Sequence, residues 1–162
     1  MRHTDISDGV PCSVARSWSV LGERWTMLVL RECFNRTRRF EDFQSHLGIA
    51  RNVLTDRLGT LVDEGILERR QYQERPPRYE YRLTEKGLDL YPVLVAVMKW
   101  GDKWKSDGKP PVRLVHNVCD HDADPKFVCS HCGEELEARD VHAEPGPGSV
   151  GTTGLEPVTP AL

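Results

Sequence analysis

No run of apolar residues in this chain reaches the roughly 18 that a membrane-spanning helix requires, so no such helix is expected. The opening Met1-Arg2-His3-Thr4-Asp5 lacks the apolar stretch of a secretory signal, which makes the cytoplasm the expected compartment. A phosphate loop, a nucleophile elbow and a dinucleotide fingerprint are all missing, which removes the commonest nucleotide-handling and serine-hydrolase chemistries. There is no internal repeat and no overall basic excess, the formal net charge being -3. What remains is 162 residues, 38% hydrophobic and 29% charged, a balance that suits one soluble core plus an appendage.

The distribution of charge says more than its sum. Residues 1–115 hold 20 Lys/Arg against 16 Asp/Glu, while residues 116–162 hold 2 against 9. A mildly basic front part is followed by an acidic tail. That polarity is compatible with nucleic acid, and an ordinary solvated surface with an acidic tail explains it equally well.

Periodicity organises the front part. Val14, Trp18 and Leu21 recur at helical spacing, and a second helix is expected from about Glu23 to Cys33 with Trp25, Leu28 and Val29 inward. After the basic connector Asn35-Arg36-Thr37-Arg38-Arg39 comes a short helix, with Phe40, Phe43 and Leu47 inward. Gly48 allows a tight turn. A longer helix then runs from about Ala50 to Glu64, apolar at Leu54, Leu58, Leu61 and Val62, with Gly65 placed to stop it. The period then switches. Ile66 to Tyr72 and Tyr79 to Leu83 read as strands around the tip Gln73-Glu74-Arg75-Pro76-Pro77-Arg78, where proline cannot join a ladder. Thr84 caps a closing helix carrying Leu88, Tyr91, Leu94, Val95 and Met98, and Pro92 should kink or divide it.

This order predicts a mainly α protein with a small β-hairpin (α+β), a winged helix-turn-helix. In that motif the second helix enters the major groove, where base edges are readable. Arg51, Asn52 and Thr55 lie opposite the leucines, near the start of the longer helix. Arg51 suits guanine or phosphate, and Asn52 suits adenine. Arg57 is a phosphate candidate nearer the flank, Arg75 and Arg78 on the wing suit backbone or minor groove, and Arg39 completes the candidate DNA-binding set. The expected partner is double-stranded DNA. A winged helix used only for protein contact is the alternative, and steep salt dependence of binding separates the two.

The last third carries a different signal. His116-x2-Cys119, nine residues, then Cys129-x2-Cys132 gives two pairs of soft or borderline ligands, each able to turn back on one tetrahedral ion. Gly133 follows the second pair, and His121 or His131 could take the place of His116. A structural Zn2+ is the expected cofactor, in a zinc-ribbon-like appendage, against free thiols in a flexible tail. Zinc deaminases also use a Cys-x-x-Cys, but they need His-x-Glu upstream and Pro directly before the first Cys. Here His142-Ala143-Glu144 lies downstream and Val128 precedes Cys129, so no enzyme is expected.

Several segments carry a resemblance. Cys12-Ser13-Val14-Ala15, Gly22-Glu23-Arg24-Trp25-Thr26, Arg39-Phe40-Glu41-Asp42-Phe43 and Leu54-Thr55-Asp56-Arg57-Leu58 appear in order. Glu64-Gly65-Ile66-Leu67-Glu68-Arg69, the run Pro77 to Gly87 and Trp100-Gly101-Asp102-Lys103-Trp104 follow. From about Cys12 to Trp104 the chain resembles the HxlR-type winged helix regulators. The resemblance implies a homodimer on a pseudo-palindromic operator, joined by the first and last helices, which points to Val14, Trp18, Leu94 and Met98. It also makes Cys12 a candidate redox sensor, because several members sense oxidants or electrophiles through an N-terminal cysteine. Ala50 departs from the family, which often has Ser or Thr there. The effector, oxidant or small molecule, is not legible. The expected organisation is a flexible segment 1–11, a DNA-binding and dimerisation domain 12–108, a Cys/His appendage 109–142 and a disordered tail 143–162.

Overall fold

A computed structural model describes residues 12–148; the segment 1–11, expected to be flexible, and residues 149–162 of the expected disordered tail lie outside the described residues. The chain forms two compact units that divide between Lys105 and Ser106. The first holds α1 (Ser13–Leu21), α2 (Thr26–Phe34), α3 (Phe40–Leu47), α4 (Arg51–Asp63), β1 (Leu67–Gln73), β2 (Arg78–Leu83), α5 (Glu85–Leu88) and α6 (Tyr91–Lys105).

Most elements fall where the periodicity put them, and the differences have local causes. α2 starts three residues later than expected because the Thr26 N–H donates back to the Glu23 carbonyl at 3.0 Å, so Glu23 to Trp25 form a turn. α4 keeps Ala50 and Glu64 as flanking residues rather than helical ones. Its end closes as the Gly65 N–H reaches the Val62 carbonyl and the Ile66 N–H the Leu61 carbonyl, both at 2.9 Å. The closing helix is divided rather than kinked. α5 ends at Leu88, and Pro92 sits in the first turn of α6, where its missing N–H leaves no helical bond unmade.

The core gathers around α2. Val29 and Leu30 are fully buried with Phe43 of α3, with Leu54, Leu58 and Leu61 of α4, and with Leu67 of β1. The Leu54–Leu58–Leu61 face is the one expected to be core. Truncating one such leucine to alanine costs about 2–5 kcal/mol. α2 is buried on a wider arc than expected: Thr26, Val29, Leu30 and Cys33 are buried, while Trp25 and Leu28 are only partly so.

β1 and β2 pair antiparallel from Leu67 opposite Leu83 to Gln73 opposite Arg78, with an irregularity between Gln71 and Gln73. A third strip of backbone joins this hairpin. The Tyr81 N–H donates to the Arg38 carbonyl at 2.8 Å, and Arg39 bridges Glu80. The start of α3 is thereby tied to the wing. Thr84 caps α5 as expected, its hydroxyl accepting from the Gly87 N–H at 3.2 Å and donating to the Gly65 carbonyl at 2.7 Å. In the second unit β3 (Val115–His116) pairs antiparallel with β4 (His121–Asp122), and Val128 bridges Glu135. Among the described residues no helix is long and apolar enough to cross a membrane.

Candidate nucleic-acid interface

Two helices and a tight turn set the geometry. α3 ends at Gly48 in the left-handed region, φ 61, and the Gly48 N–H returns to the Gln44 carbonyl at 3.0 Å. Ile49, 3% exposed, anchors the turn before α4 begins. The leucine face of α4 is buried, so Arg51, Asn52, Thr55, Asp56 and Gly59 form the opposite, exposed stripe. Ala50, with ψ 140, makes no side-chain cap. The first-turn N–H groups of α4 therefore face outward without a hydroxyl to meet them, leaving positive partial charge at the end of the helix that carries Arg51.

The candidate side chains are held in different ways. The Arg51 guanidinium lies over the Phe40 ring at 4.8 Å and that of Arg39 over the Tyr72 ring at 5.0 Å. Each aromatic face restricts an arginine while leaving N–H groups at its rim. The Thr55 hydroxyl donates to the Arg51 carbonyl at 2.9 Å, so its lone pairs are what it offers outward. Asn52 is exposed. Arg75 lies in the wing tip and Arg78 opens β2, both exposed. Arg57 is arranged otherwise: its Nη1 stands 3.6 Å from Glu23 Oε2 and its side chain is 21% exposed, so it ties α4 to the turn before α2. A phosphate contact from Arg57 would have to compete with that carboxylate.

The geometry also reveals residues that periodicity did not single out. Glu32, 6% exposed, sits where α2, the connector and α3 meet. Arg31 donates to it at 2.7 Å, the Thr37 hydroxyl donates at 3.2 Å, and His46 Nδ1 lies 2.9 Å away. Burial raises the Glu32 carboxyl, but the bonds from Arg31, His46 and Thr37 outweigh it and hold the carboxyl below its ordinary value. This cluster fixes α3 against α2 and thereby the angle at which α4 is presented. Gly59 stands mid-helix on the outer stripe with nothing within 4 Å of where a Cβ would lie. No neighbour among the described residues requires a glycine there.

The residues expected at a dimer contact divide. Val14 and Trp18 are exposed on α1, whereas Leu94 and Met98 are partly buried on α6. The outer face of α6 instead carries Val93, Val97, Trp100 and Trp104, at 42–63% exposure. The two cysteines of this unit differ in the same way. Cys12 is half-buried in the position that precedes α1. Cys33 is buried, and burial followed by the nearby Glu32 carboxylate pushes its thiol up to about 12, so it stays a thiol.

In the second unit His116 Nδ1 lies 3.3 Å from Cys119 Sγ. The amides of Cys132 and His131 and the Cys132 side chain hold the Cys129 thiol below its ordinary value. Among the described residues no three His, Cys, Asp or Glu side chains gather as a metal set. His116 with Cys119 and Cys129 with Cys132 thus stand as two separate pairs.

Comparison with known proteins places these observations in a family. Residues 20–109 match the family model described as HxlR-like helix-turn-helix. An HTH-type transcriptional regulator of Mycobacterium tuberculosis is 49% identical over 138 residues, covering 84% of this chain and 87% of the relative. The solved structure of PA1607, reported as a candidate transcription factor, aligns with a TM-score of 0.74 at 36% identity, over 82% of this chain and 94% of that one. The redox regulator HypR in its reduced form aligns with a TM-score of 0.54 at 28% identity, over 60% of this chain and 99% of that one. The first two matches are too long to stop at residue 109 and extend into the second unit; the share matched by HypR is smaller.

Proposed function

The chain belongs to the HxlR-like helix-turn-helix family and is a transcriptional regulator of helix-turn-helix type, and on that premise we propose that it binds a pseudo-palindromic operator in double-stranded DNA as a homodimer. α4 enters the major groove, where Arg51 reads guanine or grips phosphate, Asn52 pairs with adenine and Thr55 accepts a hydrogen bond. Arg39, Arg75 and Arg78 reach the backbone or minor groove from either side. Arg57 joins them only where phosphate draws it away from Glu23.

The observation that carries this reading is the sidedness of α4. One face is sealed by Leu54, Leu58 and Leu61, and the other presents Arg51, Asn52 and Thr55 beside an uncapped helix start. Dimerisation is supported by the apolar surface that α1 and α6 leave exposed, Val14 and Trp18 on one and Val97, Trp100 and Trp104 on the other. Solvent-facing tryptophan and valine at this density mark a contact surface. Leu94 and Met98 are partly buried on the same helix. Of the two cysteines in this unit, Cys12 is the one left open to oxidants, and it is the thiol through which the regulator responds to them.

Genomic footprinting, beginning with the region upstream of its own gene, identifies the operator, and affinity is then measured against salt. Log affinity should fall linearly with log salt, by about 0.9 for each phosphate neutralised. Arg51→Ala should weaken operator binding by about 1–3 kcal/mol. An affinity indifferent to salt would mean a winged helix that contacts only protein, and an unchanged Arg51→Ala affinity would remove Arg51 from the contact.

A further inference from the structure

Residues 106–148 pose a physical problem that the winged helix does not. None of their side chains is buried. Val118 is 86% exposed, Phe127 66% and Val128 55%. A stretch of about 40 residues without a core needs a cross-link or a metal to hold one shape. Its cysteines, Cys119, Cys129 and Cys132, are all free thiols.

The backbone nevertheless folds into two tight turns of one design. In the first, between β3 and β4, the N–H groups of Cys119 and Asp120 donate to the His116 carbonyl at 3.2 and 2.9 Å, and Asp120 takes a left-handed φ of 56. In the second, the Gly133 N–H donates to the Cys129 carbonyl at 2.8 Å, the Cys129 N–H donates to the Glu134 carbonyl at 2.8 Å, and Gly133 takes a left-handed φ of 77. Each turn has a ligating residue at its start, another three residues on, and a left-handed residue directly after. The first brings its two donor atoms within contact of one another, His116 Nδ1 lying 3.3 Å from Cys119 Sγ.

We propose that these two turns close on a single Zn2+ held by His116, Cys119, Cys129 and Cys132, and that the ion is the cross-link this coreless unit requires. Three sulfurs and one imidazole make a tetrahedral set that selects zinc over magnesium or calcium. Binding would draw the two pairs onto one ion and release the three thiol protons to solvent. The choice among histidines follows from their present partners. His121 Nδ1 faces the Cys119 carbonyl, and His131 lies between Cys129 and Cys132 within the second turn. His116 alone of these three has a ring nitrogen recorded beside a thiol.

The full-length protein, stripped with a chelator under reducing conditions, is titrated with Co2+ and then Zn2+. One equivalent of Co2+ per chain is expected, with tetrahedral visible bands and sulfur-to-cobalt charge transfer that Zn2+ displaces. Cys119→Ser, Cys129→Ser and His116→Ala should each weaken uptake by more than the ~10–100-fold that an outer-shell change costs. His121→Ala and His131→Ala should leave it intact. Zn2+ should also protect residues 106–148 of the unmodified chain from limited proteolysis, and chelation should remove that protection. The proposal is overturned by no saturable uptake, by two equivalents per chain, by uptake that survives Cys119→Ser combined with Cys129→Ser, by loss of uptake in His121→Ala but not His116→Ala, or by proteolysis indifferent to the metal. No DNA enters the assay, so its outcome is independent of operator binding.

Discussion

Glu32→Gln tests how the helix-turn-helix is held at its angle. The wild-type carboxylate accepts from three side chains: Arg31 at 2.7 Å, Thr37 at 3.2 Å and His46 at 2.9 Å. They do not contribute equally. The Arg31 and His46 side chains are 48% and 53% exposed, so each pairing is screened and worth about 0.5 kcal/mol. Thr37 is buried, and its bond is to a charged acceptor, worth about 1.5–3 kcal/mol. A neutral amide keeps an acceptor for Thr37 but forfeits roughly half of that bond's strength. Against these bonds stands the burial penalty on the charge, which a neutral amide escapes, so Glu32→Gln should cost at most about 2 kcal/mol. Glu32→Ala should cost about 1–3 kcal/mol more, because the Thr37 hydroxyl is left with only its longer contact to His46 Nδ1 at 3.4 Å.

Unfolding of both proteins in urea, repeated across pH, measures the difference. The folded carboxyl titrates below its ordinary value of 4.5, so its contribution is complete above about that pH and is lost as pH falls through the folded value. The gap between wild type and Glu32→Gln should be at most about 2 kcal/mol at neutral pH and should narrow in acid, where the wild-type side chain becomes neutral as well. A gap that stays constant with pH, or never exceeds about 0.5 kcal/mol, would refute the assignment of Glu32 as a charged clamp between α2 and α3.

Three further outcomes are expected. Gly59→Ala should stabilise the fold by about 0.5–1 kcal/mol, since a mid-helix glycine with open space around it gains from a methyl group, yet it should weaken operator binding; affinity equal to wild type would show that DNA does not approach this part of α4. Val97→Asp places a charge on a residue that is 50% exposed, so the monomer should remain folded while sedimentation shifts from dimer to monomer; persistence of the dimer would exclude the α6 face as the contact. Mild peroxide should change operator affinity for wild type but not for Cys12→Ser, and equal responses would remove Cys12 as the oxidant-responsive thiol.

What the sequence made legible is what burial inside one chain dictates. Leu54, Leu58 and Leu61 repeat at helical spacing because one face of α4 must leave water, and the same repeat fixes Arg51, Asn52 and Thr55 on the other face. Thr84 and Gly65 announced their ends of helices through local hydrogen bonds. The strip at Arg38 and Arg39 did not announce itself, because its bonds to Tyr81 and Glu80 are made by backbone atoms some forty residues distant in sequence. The Glu32 cluster was hidden for a related reason: Glu32, Thr37 and His46 read as solvated polar residues until α3 folds back on α2.

α6 shows the limit from the other side. Leu94, Val95, Met98, Val93, Val97, Trp100 and Trp104 are all apolar, and hydropathy cannot say which of them serve this chain's core and which face outward. Only Val95 among them is buried, so most of the apolar surface of α6 is left over after the unit has folded. The valines and tryptophans on its exposed side, Val93, Val97, Trp100 and Trp104, make an apolar patch of the kind that marks contact sites. The same reasoning separates the two units. In the first unit apolar surface on α6 is left over, whereas residues 106–148 have no buried apolar side chain at all. The His-x-x-Cys and Cys-x-x-Cys spacings were legible in the sequence, whereas the turns that carry them close through backbone bonds, such as the Gly133 N–H to the Cys129 carbonyl, which periodicity does not encode.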